Sequence, residues 1–352
     1  MWARQSPCAA RLHSRQTAPR PRQACKRPDI AVFHYFDAYL IFIKAAHSRP
    51  MDSRRWEDCK MTQEGLVQDR ATGAAQHPPE CQDTWADARA MLDGLNGGLN
   101  IAHEALDRHV AAGHGAQTAL RWIAKDGTQQ DFSYDALARL TSQFANVLAS
   151  HGIGPGESVF ALMGRVPDLY VTALGTLKAG AIFTPLFSAF GPEPIRTRME
   201  IGSAAVLVTT PGLYTRKIAA WRDQMPGLKL VLTVGDEAPP GCVALGPELA
   251  AASPDFRTAR TEAETPALIH FTSGTTGRPK GAVHVHGAVV YHAVSGREAL
   301  DLRPGTTYWC TADPGWVTGT SYGIISPLVN RVTMLVDEAE FDLDRWYATM
   351  PA

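Results

Sequence analysis

The residues most able to do chemistry form a short loop between two apolar runs. Residues 267–291 read ALIHFTSGTTGRPKGAVHVHGAVVY, with the polar loop in the middle. Its hydroxyl-bearing, glycine and cationic residues are Thr272, Ser273, Gly274, Thr275, Thr276, Gly277, Lys280 and Gly281. Hydroxyls donate hydrogen bonds to phosphate oxygens, glycines let backbone amides turn toward an anion, and a lysine adds a mobile positive charge. The pattern therefore predicts a loop that binds the phosphates of a nucleoside triphosphate.

The spacing within this loop differs from that of two common nucleotide-binding motifs. A Walker loop places Gly-Lys-Ser/Thr at the start of a helix, whereas Gly277 is followed by Arg278 and Pro279 before Lys280. The dinucleotide fingerprint G-x-G-x-x-G does not occur between a strand and a helix. A flexible loop with an incidental lysine is the structural alternative, and the density of Thr, Ser, Gly and Lys argues against it.

The loop resembles the signature loop of the adenylate-forming superfamily, which contains the AMP-forming acyl-CoA synthetases. Residues 99–110, 164–200 and 308–328 are also similar to acetyl-CoA synthetases within that superfamily, and they occur in the family's order. The resemblance runs from about residue 84 to about residue 348. It implies an α/β fold with parallel sheets flanked by helices, corresponding to an incomplete large N-terminal domain of the adenylate-forming fold.

The resemblance also implies a reaction and its substrates. A carboxylate oxygen attacks the α-phosphorus of ATP to give acyl-AMP and pyrophosphate, and the thiol of CoA then attacks the acyl carbon. Thr272 and Lys280 are implied catalytic residues, and Lys280 and residues 272–277 are implied to hold ATP with Mg²⁺. Preorganised amides, hydroxyls and a lysine suit this step because its charge moves between oxygens that are already crowded.

Two further sets of residues are implied to bind substrates. The pocket for a very small carboxylate corresponds to Trp316, Val317, Thr318 and Gly319, with ordinary core aromatics beside the turn Asp313-Pro314-Gly315 as the alternative. Arg216 lies near the position that contacts the 3′-phosphate of CoA in the family. For Arg216 and its neighbour Lys217, a solvated helix face is the structural alternative.

The activity implied at family level is that of an acetate–CoA ligase acting on acetate, ATP and CoA. A propionyl- or other short-chain acyl-CoA synthetase is one alternative, and a non-catalytic nucleotide-binding remnant is another. The family pattern continues beyond residue 352, through a Mg²⁺-binding glutamate, a ribose-binding aspartate and a C-terminal domain with an adenylation lysine. We therefore expect this chain to be inactive or nearly so.

Composition limits the possible partners. The chain has 352 residues, 45% of them hydrophobic, and a net charge of −1, which provides no field for gathering nucleic acid or binding an anionic membrane. Its six cysteines include no C-x-x-C pair, so a reducing cytoplasm is favoured over a disulfide framework or a zinc site. The histidines close to the loop have no third ligand spaced with them and are interpreted as structural: His270, His284, His286 and His292.

The sequence also suggests two divisions of the chain. Residues 1–28 are basic and contain no acidic residue, and we expect residues 1–82 to be a disordered or mis-annotated extension. Residues 83–352 are expected to form a partial AMP-binding domain. We interpret residues 235–256, which are rich in Pro, Gly and Ala, as a surface excursion.

Alternating elements from Asp131 onward must position the loop. A helix is predicted between a cap at Ser133 and a stop at Gly152, and a second helix between Pro167 and Gly180. Strands are predicted at 158–163, 181–186, 204–210 and 229–234, with a helix over about 213–223. Such alternation favours a parallel sheet covered on both faces, with the loop at its edge or in a crevice.

Overall fold

The computed structural model describes residues 87–272 and 278–349, together with the backbone of residues 30–32. The strands are β1 (Ile30–Val32), β2 (Thr118–Ile123), β3 (Gln129–Ser133), β4 (Ser158–Leu162), β5 (Ile182–Pro185), β6 (Ala204–Thr209), β7 (Leu230–Thr233), β8 (Val243–Ala244), β9 (Pro266–Thr272), β10 (Lys280–Val285), β11 (Thr307–Trp309) and β12 (Thr333–Asp337). The helices are α1 (residues 101–114), α2 (Tyr134–Ser150), α3 (Pro167–Lys178), α4 (Pro192–Ile201), α5 (Pro211–Lys217), α6 (Leu245–Ala251), α7 (Ala288–Ala299), α8 (residues 317–329) and α9 (Leu343–Thr349).

These strands form two sheets. The larger, 8-stranded sheet has the order β1-β10-β9-β5-β4-β6-β7-β8, and its neighbouring strands are parallel except for the antiparallel pair β9–β10. The smaller, 4-stranded sheet has the order β11-β12-β2-β3. The predicted α/β architecture with parallel sheets is confirmed.

Both faces of the larger sheet are covered, as its sequence pattern predicts. Along β4, Val159 and Ala161 belong to one hydrophobic cluster, whereas Phe160 and Leu162 belong to another. Successive side chains of a strand point to opposite faces, so the two clusters lie on opposite sides of the sheet. Burial on both faces explains why β4 reads as a continuous apolar run instead of alternating with polar residues.

The residues predicted to begin and end α2 and α3 lie at the ends of these helices in the structure. The side chain of Ser133 accepts a hydrogen bond from the backbone N–H of Ala136, and Gly152 after the helix has φ +69°. Helix α3 begins at Pro167, and Gly180 after its end has φ +74°. The two helices approach closely, because a Cβ atom on Gly175 would lie 2.8 Å from a ring carbon of Phe144.

One predicted helix differs from the structure. The helix expected at about 213–223 begins earlier, at Pro211, because the side chain of Thr210 caps it by accepting from the N–H of Leu213. It ends at Lys217, and the fully buried Ile218 takes a non-helical conformation before a 3₁₀ helix at Ala219–Gln224. Burial of Ile218 and Trp221 thus divides the segment into two short helices.

The interpretation of residues 235–256 as a surface excursion is wrong in part. This segment contains β8, which pairs with β7 through Leu232 and Val243 and extends the larger sheet. It also contains α6, whose first residue Leu245 is fully buried. The pairing of β8 is set by a neighbouring strand, which a local composition of Pro, Gly and Ala does not reveal.

A short segment near the start of the chain pairs with the larger sheet. Within the segment expected to be an extension, the backbone of β1 pairs in parallel with β10, Ile30 opposite Gly281. The division of the chain at residues 82 and 83 stays a prediction.

Among the helices of the described residues, none has both the length and the apolar character needed to cross a membrane.

Candidate functional site

The β9–β10 hairpin brings Thr272 and Lys280 together at the base of the predicted phosphate loop. These residues are directly opposite each other in the antiparallel register, and both are exposed. Directly opposite residues of an antiparallel pair project from the same face, so the hydroxyl and the ammonium group flank the loop on one side. Ser273, Gly274, Thr275, Thr276 and Gly277 lie outside the described residues.

Gly281 has a different role from the one predicted. It lies within β10, opposite Phe271, and it does not have a positive φ. A Cβ atom at this position would lie 3.1 Å from Ile269 and 3.4 Å from Phe271. Gly281 therefore permits close packing across the hairpin and does not turn the loop.

The histidines close to the loop are buried. The rings of His270 and His284 are 5.0 Å apart and perpendicular, and the N–H of Ile101 donates to Nδ1 of His286 at 3.1 Å. Burial lowers the pKa of His284 to about 4 and the pKa values of His286 and His292 to about 3. Burial also lowers the pKa of His270, and the neighbouring His284 and His292 lower it further. These imidazoles are therefore neutral packing groups at pH 7.

A tight turn positions the residues predicted for the acyl pocket. A carboxylate oxygen of Asp313 accepts from the N–H of Gly315 at 2.7 Å, and the Asp313 carbonyl accepts from the N–H of Trp316 at 3.0 Å. Burial raises the pKa of Asp313, and the hydrogen bond from Gly315 opposes that rise. Gly319 is buried against this turn, where a Cβ atom would overlap the Asp313 carbonyl. Only glycine fits at position 319.

The pocket residues themselves face solvent on one side. Trp316 is 47% exposed and Val317 is 41% exposed, and Thr318 is also exposed. The indole of Trp316 packs against Phe187, with ring centroids 5.5 Å apart, and against Phe190 at 6.2 Å. This partial exposure disfavours the alternative that Trp316 is an ordinary core aromatic.

The basic residues of α5 behave differently from each other. Arg216 is exposed in the last turn, where it is free to meet a ligand or solvent. The Nζ of Lys217 instead donates to the backbone carbonyls of Ser188 and Phe190. The exposure of Arg216 fits both a solvated helix face and a ligand contact, whereas the contacts of Lys217 are not those of a solvated face.

The loop of the β9–β10 hairpin and the phenylalanines that pack against Trp316 lie at one edge of the larger sheet. Strands β5 and β9 are parallel neighbours, with Phe183 opposite Leu268. Phe187 and Phe190 follow the carboxyl end of β5, and the predicted phosphate loop follows the carboxyl end of β9. The carboxyl edge of a parallel sheet is where α/β proteins bind ligands.

Sequence analysis did not single out Phe187 or Phe190, and it named Lys217 without its backbone contacts. The phenylalanines directly follow a predicted strand, and that position was the available signal, since chain segments after parallel strands gather at the binding edge. No local signal marked Lys217, because its partners lie 27 and 29 residues earlier in the chain. A long side chain that bonds to a distant backbone is visible only in the fold.

The chain is similar to several known proteins. The sequence profile of the AMP-binding enzyme family matches residues 107–351. The chain is 38% identical over 271 residues to an acetyl-coenzyme A synthetase of Bacillus subtilis (strain 168), covering 76% of this chain and 46% of that protein. It is 34% identical over 269 residues to an acetyl-coenzyme A synthetase of Beijerinckia indica, covering 72% of this chain and 41% of that protein. The chain thus spans less than half the length of these relatives.

A solved structure is similar as well. The crystal structure of an acyl-CoA synthetase from Brucella canis superposes with a TM-score of 0.69 at 30% sequence identity. The match covers 76% of this chain and 49% of that chain. The similarity therefore extends from sequence to backbone architecture.

Proposed function

Because the chain belongs to the AMP-binding enzyme family, we propose that it takes part in the ATP-dependent activation of acetate. The proposed first step joins acetate to AMP and releases pyrophosphate, and the second transfers the acetyl group to CoA. The curated relatives named acetyl-coenzyme A synthetase support this choice over other acyl groups. We expect the reaction to take place in the cytoplasm.

The observation that carries the proposal is the placement of Thr272 and Lys280. Both side chains are exposed on one face of the hairpin, at the base of the loop and at the carboxyl edge of the sheet. A hydroxyl donor and an ammonium group in such a position suit the oxygens of a triphosphate. They would act by orienting ATP and by stabilising charge that develops during its reaction.

In the proposed step, a carboxylate oxygen of acetate forms a bond to the α-phosphorus of ATP, and the bond from that phosphorus to the pyrophosphate oxygen breaks. Negative charge moves onto the leaving pyrophosphate. Lys280 would stabilise this charge, and Thr272 would hold a phosphate oxygen in place by a hydrogen bond. Neither residue gives up a proton, because acetate is already ionised at pH 7.

Mg²⁺ accompanies ATP in the proposed reaction, where it would neutralise phosphate charge. Among the described residues, no group of three His, Cys, Asp or Glu side chains is arranged to hold a metal ion. The roles proposed for this chain belong to Thr272 and Lys280.

The acyl and CoA contacts extend the proposal. Trp316, Val317, Thr318 and Gly319 would line the acyl pocket, and the bulk of the indole would favour acetate over longer acids. A pocket that excludes one methylene group discriminates by about 1–3 kcal/mol. Arg216, which is exposed on α5, would contact the 3′-phosphate of CoA.

Calorimetric titration with ATP and Mg²⁺ tests the proposed binding directly. We expect Lys280→Ala to weaken ATP binding about tenfold or more, because a hydrogen bond to a charged group contributes roughly 1.5–3 kcal/mol. Lys125→Ala is the matched control, since Lys125 is 71% exposed and lies just after β2, a strand of the smaller sheet. Equal affinities for the two variants would contradict the role of Lys280.

Acetate-dependent release of pyrophosphate tests the reaction. Release above the level without acetate supports adenylation, and ATP binding without release supports the non-catalytic nucleotide-binding alternative. The expectation that this chain of 352 residues catalyses the reaction slowly or not at all stays a prediction, and the same assay measures the rate. Competition between acetate and propionate separates the two acyl-CoA synthetase alternatives.

A further inference from the structure

Lys217 makes a contact that its place on a surface helix does not predict. It is the last residue of α5, and its Nζ donates to the carbonyl of Ser188 at 2.6 Å and to the carbonyl of Phe190 at 2.7 Å. Hydrogen bonds from an ammonium group are charge-assisted and about twice as strong as those between neutral groups. Lys217 therefore ties α5 to the segment that follows β5.

This segment, residues 187–190, forms an aromatic wall beside Trp316. The rings of Phe187 and Phe190 are 5.4 Å apart and nearly perpendicular, and both rings pack against the indole. Arg198 is a residue of α4, and its guanidinium lies 4.3 Å from the ring centroid of Phe190. Phe190 is thus held at its carbonyl by Lys217 and at its ring by Arg198.

The wall and the turn that carries Trp316 also touch through their backbones. A Cβ atom on Gly315 would lie 2.6 Å from the N and Cα atoms of Phe187. The two backbones can approach this closely only because residue 315 is glycine. A displacement of residues 187–190 must therefore change the surroundings of Trp316 on its packed side, while its other side already faces solvent.

We propose that Lys217 is a positioning residue that fixes the aromatic wall beside Trp316 and thereby limits the size of the acyl group that enters. Lys217 acts through the Ser188 and Phe190 carbonyls and touches no reacting atom. The effect on acyl size rests on the proposed function, whereas the positioning of the wall does not. Direct binding of a substrate phosphate by Lys217 is the competing role.

The first test follows the fluorescence of Trp316 in Lys217→Met, which keeps the apolar stem and removes the donors. The chain has eight tryptophans, so the Trp316 signal is obtained as the difference between each protein and its Trp316→Phe counterpart. We expect acrylamide quenching of this signal to rise up to about twofold, because the indole is 47% exposed and can become fully exposed when the wall moves.

Two further variants make this test specific. Lys217→Arg keeps charged donors and should return the quenching most of the way to the parent value. Lys125→Met, a change of the same type at a lysine that is 71% exposed, should match the parent. Unchanged quenching in Lys217→Met overturns the proposal, as does an equal rise in Lys125→Met. If circular dichroism shows that Lys217→Met is unfolded, Lys217→Gln replaces it, and the same outcomes apply.

The second test measures pyrophosphate exchange with acetate and with propionate. In Lys217→Met we expect the preference for acetate to fall about tenfold, since one methylene group is discriminated by about 10- to 200-fold in apolar pockets. An unchanged preference overturns the effect of Lys217 on acyl size, and a raised KM for ATP alongside it favours direct phosphate binding. A parent protein without exchange activity agrees with the expectation of slow or absent turnover and supports the non-catalytic alternative, and the quenching test then decides the role of Lys217.

Discussion

The β9–β10 hairpin differs sharply between its loop end and its buried end. At the loop end, Thr272 and Lys280 are opposite each other and exposed. A few residues further along the same strands, His270 and His284 pack against each other in the interior. A charged group is stable in water and costly in the interior, so the two ends suit different tasks. The loop end is suited to binding an anion, and the buried end to holding the strands in place.

The largest expected effect at the buried end is a loss of stability when the pH is lowered. The pKa values of His284, His286 and His292 are about 4, 3 and 3 in the folded protein, below the ordinary 6.5, and the pKa of His270 is also lowered. The unfolded chain therefore binds these protons first. The contribution of the histidines to stability is present above pH 6.5, and it is lost as the pH falls toward 4 for His284 and toward 3 for His286 and His292. Each histidine contributes up to about 1.4 kcal/mol per pH unit, so we expect a loss of several kcal/mol in total.

Urea unfolding at pH 7, 6 and 5 measures this loss. His284→Gln removes one titrating group and should make the dependence on pH less steep. Equal free energies of unfolding at pH 7 and pH 5 would show that the imidazoles already gain protons in the folded state. The buried end would then resemble the loop end in its access to water.

A smaller effect is expected from removing one buried ring at pH 7. In His286→Ala, the buried N–H of Ile101 loses its acceptor, and a cavity replaces a side chain that is fully buried. We expect the free energy of unfolding to fall by roughly 2–4 kcal/mol. His151→Ala is the control, because His151 is exposed and pairs with Glu248 at the surface. Similar losses in both variants would contradict the structural role of His286.

The smallest effect on stability is expected at the loop end. Thr272→Val keeps a branched side chain that suits a strand and removes only an exposed hydroxyl, so the free energy of unfolding should change by no more than about 0.5 kcal/mol. ATP binding should weaken by roughly two- to tenfold, as expected for one neutral hydrogen bond. Calorimetry and urea unfolding on the same sample measure the two effects. A large loss of stability with unchanged binding would reverse the assignment of the two ends.

Local signals predicted the helices that frame the site. Ser133 and Gly152 bound α2, and Pro167 and Gly180 bound α3, because capping and left-handed turns depend on residues next to the helix end. The helix at 213–223 was predicted less well. Its division at Ile218 results from burial of that side chain, which depends on packing with other elements.

The smaller sheet was not predicted. Strand β2 pairs with β12, where Leu120 lies opposite Met334, and the two strands are far apart in the chain. Strand β8 was missed for the same reason, since its partner β7 defines it as part of the larger sheet. Pairing between strands is set by partners that a local pattern does not contain.

The residue types of the candidate site are visible in the sequence, whereas their arrangement is visible only in the structure. The hydroxyls and the lysine of the loop were predicted from residue types, as was the turn that ends in Gly315. That Thr272 lies opposite Lys280 is a consequence of the hairpin register. The wall beside Trp316 became visible only in the structure, because Phe187 precedes Trp316 by more than a hundred residues.

The sequence by itself determined the resemblance to a family, the residue types of the loop for which phosphate binding is proposed, and the helix ends, since these depend on residue type and on near neighbours. The tertiary structure decided that Lys217 binds backbone carbonyls while Arg216 faces solvent, and that the histidines beside the loop are buried and neutral. The physical reason is the same in each case. Burial and long-range contacts depend on which surfaces meet in the fold, and they change the charge and the position of a side chain without changing its identity.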